Sequence, residues 1–283
     1  MAGAAPCGEV AGARHDVSLA HGRAPPGATV VDYGMPKVLV GFFSFTEITD
    51  PTQHVAYNAW HQLDHMPEQY PLPGVAHGER WVSTPACRAA RAAESPRLAP
   101  VHYMTLYLMG EPLERTLEEF RSLGEQLRQV GRFHEHRRAR LSGPFEVTGM
   151  HAAPRVLVSD EAVAFRPNRG VYVVVTERAE AGPGAGRAAD AVGGLVPRLL
   201  ETPGVAGVWT FTGSDRFSLL GWRPGGCDIA VCFLDVEPLA VADRLGGLAT
   251  GASAPTSPVE FAGPFETVTP WRWDWFEPET PRR

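Results

Sequence analysis

The sequence predicts an α+β protein: two ferredoxin-like β-α-β-β-α-β repeats packed sheet to sheet as an intramolecular α/β barrel. Three observations predict it. Segments of strand and helix character run in the same order twice along the chain. Pro73-Gly74-Val75-Ala76 recurs as Pro203-Gly204-Val205-Ala206, and Gly143-Pro144-Phe145-Glu146 recurs as Gly263-Pro264-Phe265-Glu266, in matching contexts. A four-stranded sheet with both helices on one face leaves its other face apolar, and the second repeat can cover it. The space enclosed between the sheets is the expected seat of a small ligand.

Residues 1–35, rich in Gly, Ala and Pro without periodicity, read as a flexible N-terminal tail. The first repeat spans 36–151, a linker 152–169, and the second repeat 170–283. VLVGFFSFTEI (38–48) reads as a largely buried strand. A helix follows: Asp50 can cap it, Pro51 suits a first turn that needs no N–H, and Pro67 ends it. Strands are expected over 76–83 and 102–110, with an Ala/Arg segment (87–94) between them as a short helix or flap. Leu113, Leu117, Phe120, Leu123, Leu127 and Val130 form one stripe of the clearest helix. A strand over 138–150 closes the repeat. The second repeat reads as a strand (171–179), a helix-like stretch (188–201), strands (206–213, 227–236), a short helical piece (238–248) and a last strand after Pro258.

The 283 residues are 44% hydrophobic and 20% charged, which supports a sizeable core and argues against wholesale disorder. A net charge of -6 gives no global cationic footprint for nucleic acid or an acidic membrane. No apolar stretch reaches the length of a membrane helix. The cysteines at 7, 87, 227 and 232 lack C-x-x-C spacing and read as reduced, incidental thiols. The N-terminus has no basic start followed by an apolar core, so a cytoplasmic protein is expected. The segment GPGAGRAAD (182–190) is no G-x-G-x-x-G, and G-x-S-x-G is absent.

Phe42–Thr46, the helix end from Tyr57 to Glu68 (YNAWHQLDHMPE), the Pro73-Gly74-Val75 turn and Arg80-Trp81 resemble the dimeric α/β-barrel superfamily. The branch they resemble is that of the EthD-like proteins, with a helix-end histidine followed by Pro and then a Pro-Gly turn. The resemblance is strong over about 38–82 and extends at fold level over 38–270. It implies a ferredoxin-like barrel with an interior pocket. It does not imply one chemistry, since relatives include cofactor-free oxygenases, muconolactone isomerases, polyketide cyclases and haem proteins. The second repeat has Glu201-Thr202-Pro203 where the motif has His-Met-Pro-Glu, so a site belonging to the motif should be single.

All ten histidines lie at or before position 151. This asymmetry points to chemistry in the first repeat, with the second as a wall or lid. At 100° per residue, Ala56, Ala59, Trp60, Leu63 and Met66 share the expected core-facing side of the first helix. His54, Asn58, His61 and His65 lie opposite. The terminal turn and Pro67 can swing His65 to the barrel mouth, where it would serve as general base, oriented by Asp64 and Glu68. His61 and His65 are four apart, but no H-E-x-x-H and no third ligand stand out; no metal and no cofactor are expected. Alternation puts Tyr103, Thr105, Tyr107 and Met109 on one face of the third strand and His102, Met104, Leu106 and Leu108 on the other, leaving open which lines the cavity. Tyr103 and Tyr107 would polarise or protonate an oxygen. Arg80 or His77 would hold an anionic group. Trp81 is a further substrate contact, with plain packing as the simpler account. His134-Glu135-His136, beside Arg132, Arg137, Arg138 and Arg140, reads as a solvated helix end rather than a nucleic-acid site.

The expected function is a cofactor-independent isomerase, cyclase or lyase using histidine acid–base chemistry on a small, largely apolar or polyketide-like metabolite. The alternatives are a cofactor-free monooxygenase of an electron-rich aromatic and a non-catalytic binding or scaffold protein. The expected partner is a small-molecule substrate, with neither nucleic acid nor membrane, on a monomer with an internal pseudo-dimer or a homodimer.

Overall fold

The computed structural model describes residues 37–178, 192–221, 226–251, 254–255 and 257–276. The expected tail over 1–35 and the 182–190 segment lie outside the described residues. In the first half the strands are β1 (Val40–Ile48), β2 (Val75–Val82), a two-residue β3 (Ala93–Glu94), β4 (Tyr103–Met109) and β5 (Arg137–Ala152). The second half has β6 (Gly170–Glu177), β7 (Val205–Gly213), β8 (Cys227–Leu234) and β9 (Val259–Thr267). The helices are α1 (His54–Trp60), α2 (Pro85–Ala89), α3 (Leu113–Gln129), α4 (Val196–Leu200) and α5 (Ala242–Thr250). The Asp50 side chain caps the turn before α1 by accepting from the Thr52 N–H, with Pro51 in the first turn.

The sheet order is β2-β4-β1-β5-β7-β8-β6-β9, and β9 returns to β2 through Trp81↔Thr267 and Val82↔Glu266. Eight antiparallel strands thus close into a barrel, with β3 added on β9. Each half runs its strands in the same spatial order, second-third-first-fourth, with helices between them. The halves meet along the long β5–β7 ladder and the short β9–β2 contact.

Alternation decides what fills the barrel. Phe43 and Phe45 of β1, Met104, Leu106 and Leu108 of β4, and Val171, Val173 and Val175 of β6 belong to one buried cluster with Phe145, Phe211, Phe233 and Phe265. The Phe43 ring meets Phe145 and Phe211 edge to face, at 5.5 and 4.9 Å. A Cβ on Gly41 would come within 2.7 Å of the Phe211 ring, so only glycine lets that ring lie against β1. Val163 and Ala164, on a short turn after β5, belong to the same cluster. The interior is therefore a packed core. This corrects the expectation of a ligand space between the sheets: an eight-stranded barrel is just wide enough for side chains of this size to fill.

The helices cover the outer faces. In the second half Tyr172, Val174, Val208, Ala230 and Ala262 pack with Val196, Leu199, Leu245 and Ala249 in one apolar layer. In the first half α3 buries Leu113, Leu117, Phe120 and Leu127, while Val130, just past the helix end, is exposed. Among the described residues no helix is long and apolar enough to cross a membrane.

A polar cavity between helices and sheet

One row on the outer face of the first half is polar where its counterpart in the second half is mostly apolar. Arg80, Thr105, Ser44 and Ser142 are register neighbours across β2, β4, β1 and β5. A comparable row across β7, β8, β6 and β9 is Thr210, Ala230, Val174 and Ala262. Small polar side chains on the floor leave space that helices cannot fill with apolar groups. A cavity of about 380 Å³ lies there, lined by Ser44, Thr105 and Ser142 below, His61, His65 and Gln69 on one side, and Phe42, Tyr107 and Phe120 among its walls. Phe133, Arg128 and Arg137 also line it.

A π-turn presents the two histidines. His61–His65 continue α1 as a π-helix, with the Met66 N–H donating to the His61 carbonyl at 2.8 Å. Such single-turn widenings recur at functional sites. The buried face of the whole segment is His54, Tyr57, Asn58, His61 and His65, whereas Ala56 and Leu63 are exposed. Of the residues expected to face the core, Met66 is buried, Ala59 and Trp60 are half-buried, and Ala56 and Leu63 face out. The stripe that packs is the polar one, because the floor beneath it is polar.

Both imidazoles are held neutral. Burial, then the charges of Arg80, His65 and Arg137, push His61 well below the ordinary imidazole range. Burial and Arg137 push His65 down to about 3, opposed by Asp64. Trp60 stacks on His65 at 4.6 Å between ring centres, and the indole N–H donates to the Arg132 carbonyl. His61 Nε2 lies 3.5 Å from Thr105 Oγ1. The Nδ1 atoms of His61 and His65 and the Tyr107 hydroxyl are buried with no hydrogen-bond partner in the protein. Burial raises the Tyr107 phenol far above its ordinary value, so it stays protonated. A Cβ on Gly78 would meet the Tyr107 ring at 2.9 Å, which is why that ring can lie across β2.

Asp64 and Glu68 do not orient His65. Both bind Arg132, at 2.9 and 2.7 Å, on the outside of the helix. Nor is Arg137 part of a solvated helix end: it starts β5, turns inward, and donates from Nη2 to Ser44 Oγ at 2.9 Å. Its guanidinium also stacks on Phe133 at 5.2 Å, with that of Arg128 4.7 Å from the same ring.

Arg80 is 3% exposed, and only its Nη2 is hydrogen-bonded, to Asn58 Oδ1 at 2.9 Å. The Asn58 amide donates to Tyr103 OH, and Tyr103 OH lies 2.9 Å from His54 Nδ1. Tyr103 therefore accepts from Asn58 and donates to His54, which burial holds neutral with a pKa of about 4. This chain fixes Arg80 at the end of the polar row.

Of the residues singled out from sequence, His61, His65 and Tyr107 meet at the cavity. Arg80 and Tyr103 stand behind it in the relay just described. Trp81 is in the barrel core, its indole N–H donating to Asn168 at 3.0 Å. His77, beside Glu79 and Phe165, and Glu68, on Arg132, are not among the lining residues. Sequence reasoning passed over Ser44, Phe133 and Arg137. Ser44 carried a signal, because an apolar strand with Ser and Thr at alternate positions marks a polar floor. The inward turn of Arg137 carried none. Among the described residues no three His, Cys, Asp or Glu side chains converge as a metal site.

No protein-family model and no curated protein matches the sequence. Among solved structures the chain is similar to a protein provisionally assigned as a chlorite dismutase, at 9% identity over 85% of this chain and 98% of that one, with a TM-score of 0.46. It is similar to a provisionally assigned monooxygenase from Lactobacillus acidophilus, at 9% identity over 81% and 93%, TM-score 0.39. It is also similar to a haem-binding protein from Thermus thermophilus, at 12% identity over 82% and 92%, TM-score 0.42. At such identity none of the three transfers a site residue to this chain.

Proposed function

We propose that this chain is a cofactor-independent proton-transfer enzyme of the isomerase, cyclase or lyase kind, acting on a small metabolite in the helix–sheet cavity. One observation carries the reading: two buried neutral imidazoles and a protonated phenol face one cavity with unpartnered polar atoms. His65 takes a proton from a carbon next to a carbonyl, or from an enol. Tyr107 donates to the oxygen on which charge develops, and the arginines stabilise that charge. The base is weak in the empty site, so it needs an acidic substrate proton and an anion that the site holds well. The second half is a wall without chemistry, in line with its apolar outer layer. We read the two halves as a tandem duplication and the His65 motif as EthD-like.

A second reading has one observation of its own. The aromatic side chains of Phe42, Phe120 and Phe133 line the cavity and suit an electron-rich ring. Deprotonation of such a ring at the same base would prepare it to react with oxygen in a cofactor-free monooxygenase.

The test is exchange in heavy water. A panel of β-dicarbonyl and hydroxyaromatic compounds is incubated with the enzyme while carbon-bound deuterium and oxygen uptake are followed together. Deuterium incorporation without oxygen uptake is expected. Oxygen uptake selects the monooxygenase. Neither, with saturable binding, leaves a binding protein and removes the catalytic reading.

A further inference from the structure

Charge at the cavity is one-sided. Its lining carries three arginines (Arg121, Arg128, Arg137) and one glutamate, Glu125. Arg121 and Glu125 bind each other at 2.8 Å. Among the described residues no ion pair takes up Arg128, Arg137 or the buried Arg80. Arg137 offers five N–H donors, yet its bond to Ser44 uses one, and its Nε is buried without an acceptor. The Phe133 face attracts both guanidiniums but accepts no hydrogen bond in the fork geometry they present. A planar acceptor with two oxygens does.

We propose that the cavity takes a small aromatic carboxylate, its carboxylate on Arg137 above Ser44 of the polar row and its ring among Phe42, Phe120 and Tyr107. This names the substrate class of the site proposed above and rests on that cavity being the functional one. A volume of about 380 Å³ sits at the low end of small-molecule sites, which suits one or two rings. Arg128 supplies a second charge from the cavity wall, and Arg80 adds one behind Thr105. The bound carboxylate also answers the weakness of the base. Arg137 is the largest charge acting against protonation of His65. An anion seated on Arg137 offsets that charge, so the substrate strengthens the base that is to act on it. His61, Arg80 and Arg132 also face His65 with like charge or a ring, and Asp64 with opposite charge.

The experiment is calorimetric titration of the full chain near neutral pH with benzoate, 1-naphthoate and the amide of each. At least one acid is expected to bind tenfold or more tightly than its own amide, and its affinity is expected to fall as salt is added. Arg137→Met is expected to lose tenfold or more of that affinity. Equal binding of acid and amide overturns the proposal, as does no binding of either acid at about 10 mM, above the weakest specific affinities near 1 mM. If Arg137→Met does not fold, the acid–amide comparison on the unaltered protein decides alone. Acid-selective binding without deuterium exchange leaves this inference standing and removes the catalytic reading. Exchange on neutral compounds with no acid preference does the reverse.

Discussion

Replacement of His65 by alanine lowers turnover by about 10²–10⁴-fold, the range that a positioned acid–base group supplies. The imidazole is the group best placed to take a proton in the cavity. It is 8% exposed, it is held flat against Trp60, and its Nδ1 has no protein partner. Burial, with Arg137, keeps it neutral, so at physiological pH it is in the proton-accepting form, though a weak base in the empty site. His61 is paired loosely with Thr105 and, unlike His65, has no carboxylate offsetting the arginines, so His61→Ala is expected to cost less. The check is kcat for both variants on whichever compound shows exchange, with the thermal midpoint measured alongside to separate lost chemistry from lost packing. An alanine at 65 that retains activity within about threefold, a change of under 1 kcal/mol in the barrier, removes His65 as the base. A larger loss at His61 than at His65 transfers the role.

The second large effect is acid lability. Burial lowers His54 to about 4, His65 and His102 to about 3, and His61 well below the ordinary range. The ordinary imidazole value of the unfolded chain is about 6.5. Above it both states are neutral and these groups do not affect stability. As the pH falls through about 6.5 the unfolded chain takes up protons that the folded chain refuses. Each such histidine then removes up to about 1.4 kcal/mol of stability per pH unit, until its folded pKa is reached. With four acting together, against a total of about 5–15 kcal/mol for a domain, unfolding is expected well above the pH at which carboxylates protonate. A series of melts from neutral pH downward should show the midpoint falling steeply from just below pH 6.5. A flat profile down to about pH 5 contradicts the burial of these rings.

Much of the fold was legible because barrel strands and amphipathic helices carry strong periodicity. The strand expected over 227–236 is β8 at Cys227–Leu234, and the stripe from Leu113 to Leu127 is the buried face of α3. Two physical assumptions misplaced the site. The first was that the apolar stripe of a helix faces the core. It fails at α1, where the sheet beneath offers Ser44 and Thr105, so His54, Asn58, His61 and His65 pack inward. The second was that space lies between two sheets. It fails because Phe43, Phe45, Phe145 and Phe211 fill that space. Single residues gave the rest away only in three dimensions. Arg137 stands in a run of surface-like basic residues, and nothing in its neighbours says that this one turns under Phe133. The same holds for Asn58, whose amide gains meaning only when Tyr103 and Arg80 come to either side of it.

Central to this account is a neutral, buried imidazole pair facing a cationic cavity in the first half of the barrel. The measurement that tests it most directly is a nitrogen-detected NMR pH titration of the histidine rings, with the His61 and His65 signals assigned by substitution. The account predicts that in the folded chain neither ring protonates as the pH falls from about 8 through the ordinary imidazole value of about 6.5, down to the pH at which the fold is lost. Titration of His61 and His65 near that ordinary value would contradict it.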